Sequence, residues 1–75
     1  MDYELMMIQM TQDFNELAEQ YDGAASNERL WAKGASDEVT IQMHLANAEH
    51  AVEMAEMYRR MSKNPEALLN QLEEN

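Results

Sequence analysis

The sequence predicts an all-α fold, a helical hairpin folded as a single small domain over residues 1–75. Three observations carry that expectation. Apolar residues recur at spacings of three and four, no stretch alternates apolar and polar as a strand would, and cap-type residues sit at the edges of the periodic segments.

The first helix is predicted over about residues 2–22. Tyr3, Met7, Met10, Phe14, Leu17 and Tyr21 alternate spacings of four and three, which keeps them on one stripe of a helix. Asp2 and Glu4 complement the macrodipole at its start, and Asp22-Gly23 reads as its stop. Ser26-Asn27-Glu28 then looks like a new start and Lys33-Gly34 a new stop. A short connecting helix is expected over about 27–33, because a structureless linker from 22 to 36 is unusual in so small a domain.

Ser36 is expected to cap the long helix, over about 36–63. Asp37 and Glu38 lie in its first turn and Arg59, Arg60 and Lys63 in its last. Asn64-Pro65 closes it and also suits the opening of a short C-terminal helix over about 65–74, burying Leu68, Leu69 and Leu72.

Ile41, Leu45, Ala48, Val52 and Ala55 form one narrow face of the long helix. These mostly small or aliphatic residues are expected to receive the large side chains of the first helix in antiparallel packing. Met43, Ala46, Met54, Met57, Tyr58 and Met61 lie on roughly the other side, so the helix is apolar over more of its circumference than one partner requires. Three readings are open: cover by Leu30 and Trp31 with Leu68 and Leu72 from the same chain, a second chain joining into a four-helix arrangement, or a face left open for a different protein. Leu5 and Ile8 lie off the first helix's stripe and lean towards interaction.

Composition narrows the functions. A chain of 75 residues buries roughly 60% of the surface its unfolded form exposes, and one such core supplies only about 3–5 kcal/mol. With no cysteine, neither disulfides nor thiolate metal sites add to it, and a partner chain is the natural supplement. Net charge is -10. Residues 1–28 hold seven acidic side chains and no basic one, which disfavours direct contact with nucleic acid or membrane. The acidic opening Met1-Asp2-Tyr3-Glu4 lacks the character of a secretory signal, and the run Leu5 to Ile8 is too short to span a bilayer; a cytoplasmic location is expected.

Little chemistry is legible. His44 and His50 are six apart, about 120° on the wheel, and do not chelate one ion from one helix. No cysteine, serine elbow or phosphate cradle exists, so no enzyme, cofactor or metal is expected. His50, beside the methionine face, is a candidate for pH-sensitive association. Glu49, Glu53 and Glu56 make an acidic row, and Arg59, Arg60 and Lys63 suit the helix C-terminus. Acidic secretion chaperones, phage counter-defence proteins and helical nucleotide sponges share size, charge or helical build, but no motif here matches any of them.

The expected function is a non-enzymatic interaction module, acting as regulator, inhibitor, chaperone or adaptor. Its partners are a second copy of itself, a protein target, or both. Eight methionines favour such a role, since their unbranched side chains repack against varied partners. The interface candidates are Trp31, Met43, Met54, Met57, Tyr58 and Met61, with Glu49, Glu53 and Glu56 as acidic surface. One alternative is an acidic mimic that blocks a nucleic-acid-binding site. Another is an oligomer holding a nucleotide-like ligand near Arg59, Arg60 or Trp31.

Overall fold

The computed structural model of the chain describes residues 2–66. Two long helices, α1 (Tyr3–Gly34) and α2 (Glu38–Lys63), pack antiparallel as a hairpin. Among the described residues there is no strand, and no helix is long and apolar enough to cross a membrane.

Asp2 caps α1, its carboxylate accepting hydrogen bonds from the backbone N–H of Glu4 and Leu5. The predicted break at Asp22-Gly23 is absent: α1 runs through it, and the expected separate helix at 27–33 is the last two turns of α1. Gly23 has no positive φ, and a Cβ there would meet nothing within 4 Å. A mid-helix glycine costs about 1 kcal/mol relative to alanine. That is small against the packing of Ala18 before it and Ala25 and Ala32 after it, all buried on α2. Asp22 serves an ion pair with Arg59 rather than a turn.

The helix does end at Gly34, with Ala35 as C-cap in extended geometry. Ala35 to Asp37 make a three-residue turn. Asp37, not Ser36, is the N-cap of α2. Its carboxylate accepts from the Thr40 N–H at 3.0 Å and from the Thr40 hydroxyl at 2.6 Å. Asp beats Ser here by reaching two donors three residues on. These hydrogen bonds, the one from the Thr40 hydroxyl foremost, hold the Asp37 carboxyl below its ordinary value of 3.8. At the far end Asn64 is the C-cap, and Pro65 and Glu66 resume helical geometry. The remainder of the predicted C-terminal helix, with Leu68, Leu69 and Leu72, lies outside the described residues.

The contact between the helices follows a heptad seam. Ala18, Ala25 and Ala32 are buried seven apart on α1, each four residues after a half-buried Phe14, Tyr21 or Glu28. On α2 the series Ile41, Ala48, Ala55, Ser62 alternates with His44, Ala51 and Tyr58. Among the described residues every buried one is therefore alanine, apart from Ser62. The Ser62 hydroxyl is satisfied by donating to the Arg59 carbonyl at 2.7 Å.

The expected large-against-small packing is thus replaced by small against small. Its reason is a rotation. The predicted stripe on α1 is centred about 50° from the line that faces α2, because alanines one position further round let the backbones approach. On α2 the predicted face is likewise turned by about 50°: Leu45 is 43% exposed and Ala51, which belongs to no predicted face, is buried.

Candidate interaction surface

Around the seam the antiparallel hairpin has two flanks, and the side chains that join the helices identify them. Arg59 pairs with Asp22 across one edge. Both residues immediately follow a Tyr on the seam, Tyr58 and Tyr21. In an antiparallel pair, positions that follow the seam residue in this way meet each other, and those that precede the buried alanines meet on the other edge. The second flank therefore carries Met10, Leu17, Ala24 and Trp31 of α1 opposite Thr40, Asn47, Met54 and Met61 of α2, with Met6, Met43 and Met57 just outside them.

Of the interface residues expected from sequence, all but Tyr58 fall on this flank. Met54, Met57 and Met61 are half-buried, Met43 is 52% exposed and Trp31 57% exposed. Tyr58 sits deeper, at the edge of the seam. Its ring stacks on Phe14 at 6.0 Å and on Tyr21 at 5.7 Å. Such aromatic pairs contribute about 0.5–1.5 kcal/mol beyond area burial. Met10 and Leu17 are additions: the sequence stripe placed them in the hairpin interior, whereas they stand half-covered at its margin. Their spacing of seven, out of step with Ala18 and Ala25 by one residue, was the available signal.

Leu30 and Trp31 do not lie over Met54 to Met61, and Leu68 and Leu72, the other half of the expected intrachain cover, fall outside the described residues. Leu30 is 63% exposed on the outer side of α1, and the Trp31 indole lies against His44, with ring centroids 5.7 Å apart, rather than on Met54 to Met61. The antiparallel register places residue 31 beside His44, about three to five helical turns from those methionines. At this turn end the His44 Nδ1–H donates to Glu28 Oε2 at 2.5 Å, both groups half-buried, so His44 is a packing residue joining the helices. His50 is exposed, on the outer part of the methionine flank.

Charge separates the flanks. Among the described residues, Asp13 is the one acidic side chain on the methionine flank, and no Lys or Arg lies there. The opposite flank holds Glu19, Asp22, Arg29, Lys33, Arg59 and Lys63, together with exposed Ile8 and Leu45. Glu49 and Glu56 are exposed on that side and Glu53 on the back of α2. Arg59 and Lys63 follow the acidic row and end it, and Arg60 lies on the back, seven residues after Glu53. Among the described residues no group of three or more His, Asp or Glu is placed to hold a metal ion. Shallow grooves lie on this flank, one beside Met7, Ile8 and Thr11, the other beside Arg29, Ile41 and Leu45.

Comparison with protein-family models, with curated proteins and with solved structures finds no match to this chain.

Proposed function

We propose that the chain is a non-enzymatic helical interaction module whose working surface is the methionine-rich flank. One observation carries the reading: Met10, Leu17, Met54, Met57 and Met61 gather on a side almost free of charge, and the hairpin covers each of them only in part. Completing the burial of a Leu or Met side chain is favourable by up to about 1.5–3 kcal/mol. A helical partner laid on this flank gains that energy, as amphipathic helices do in apolar grooves. Methionine suits the task, since its three rotatable bonds let it fit a partner's side chains. Regulator, inhibitor, chaperone and adaptor all share this mechanism.

The acidic-mimic alternative draws less support. Its row of Glu49, Glu53 and Glu56 is exposed, but Glu53 lies on the back of α2, apart from the other two, and Arg59 and Lys63 follow directly on their side. A ligand-holding pocket at Arg59 is weakened by the pairing of that guanidinium with Asp22.

The reading is tested by placing a photo-cross-linking side chain at Met57, with Glu49 as control, in cells that make the protein. Strong protein cross-links from 57 and few from 49 are expected. Equal, sparse labelling at both positions would refute the assignment of the flank.

A further inference from the structure

We infer that the partner seated on the methionine flank is a second copy of the chain, two hairpins pairing face to face as a four-helix bundle. This rests on the reading of that flank as an interaction surface and names its occupant.

Three features of the molecule support a copy over another protein. The first is charge. Two chains of net charge -10 repel, and a symmetric contact sets each surface against its own twin. Of the described surface, this flank is where a twin brings almost no acid against acid, since Asp13 is its one carboxylate and lies outside the line of Met10 and Leu17.

The second is area. The hairpin is 22 Å broad, and the 26 residues of α2 extend about 39 Å. A face of those dimensions offers on the order of 800 Å² per chain, the amount typical of a stable, specific interface.

The third is the core. Among the described residues no large side chain is buried within the hairpin; the buried residues are alanines and Ser62. In a face-to-face pair Leu17, Met54 and Met61 become the central layer between two hairpins, which supplies the core of large residues that each hairpin lacks.

The decisive experiment combines mass and distance on the full chain. Light scattering from low micromolar to near-millimolar protein is expected to give twice the 8.7 kDa of one chain. The chain has no cysteine, so single labels are clean. Asn47→Cys, exposed on the flank, and Glu49→Cys, exposed on the opposite side, are each spin-labelled in otherwise unchanged protein. The intermolecular distance at 47 is expected to be shorter than at 49 by roughly two helix diameters, about 20 Å.

A single-chain mass at every concentration would overturn the self-pairing. It would leave the interaction reading standing if Met57 still cross-links to another protein in cells. A doubled mass with the shorter distance at 49 would overturn the choice of face. Met54→Glu with Met57→Glu should halve the mass while circular dichroism stays helical. If that variant unfolds, the label distances still decide.

Discussion

Along the edge where Asp22 meets Arg59, the hairpin carries both acids and bases; along the edge where Met10, Leu17, Met54 and Met61 line up, it carries almost none. Both edges are made by the same two helices and adjoin the same alanine seam. The difference arises because the apolar arc of each helix is wider than the seam and overhangs it mostly towards one side, with Ile8, Leu45 and Val52 the apolar residues on the other. On α1 the overhang is Met10 and Leu17; on α2 it is Met54, Met57 and Met61. Antiparallel packing brings the two overhangs to the same edge. An apolar residue at the margin of a two-helix contact is thus either incidental or half of a larger interface, and charge on its neighbours tells which. Leu45 lines a groove with Arg29 and Lys33, whereas Leu17 lies on the same flank as Met10, Met54 and Met61.

The largest effect expected from this difference is on stability. Leu17→Ala should cost at least about 2 kcal/mol, the lower end for a buried leucine, and the loss should shrink on dilution as pairs separate. Leu45→Ala should stay within about 0.5 kcal/mol, as surface changes do. Urea unfolding at two protein concentrations measures both, and equal losses would erase the distinction between the flanks.

The seam that divides them is tested next. Ala55 has 0% of its surface exposed, so Ala55→Leu overpacks the closest approach of the helices and should destabilise by about 1–3 kcal/mol. A neutral result would place α1 further from α2 than the buried alanines imply.

A smaller effect, of opposite sign, is expected at Gly23. The position is helical, outward-facing and open, so Gly23→Ala should stabilise by about 0.5–1 kcal/mol. Destabilisation would mean that α1 breaks there after all, and with it the continuity that carries Trp31 to the methionine flank.

The smallest effect concerns acid. Asp37 has its carboxyl lowered below 3.8 by hydrogen bonds from Thr40, the side-chain one first. A depressed folded-state value gives stability that is complete above the unfolded value and lost as pH falls through the folded one. Helicity of the wild-type chain should therefore decline more between pH 3.8 and lower pH than that of Asp37→Asn, which caps without titrating. Matching acid profiles for the two proteins would show that the cap contributes nothing there.

The positions that sequence reading located well are those with local causes. The hairpin's turn follows from Gly34 and the acids just after it, and the end of α2 from Asn64-Pro65. The gathering of Met54, Met57 and Met61 on one face follows from 3.6 residues per turn alone. Asp22-Gly23 misled because a stop signal worth about 1 kcal/mol competes with burial on a helix that has not yet been placed. Met10 and Leu17 were assigned to the interior because hydrophobicity ranks them above alanine, whereas close packing ranks alanine first.

By itself, then, the sequence determined that the chain is helical, where its chain reversal lies, and which side chains form a methionine face. Only the tertiary structure decided that α1 is unbroken, that alanines make the seam, and that the overhangs of two helices share one edge. Periodicity fixes angles around a single helix axis. The rotation of one helix against another is set by how closely their backbones approach, and that depends on small residues from both helices meeting at the same level.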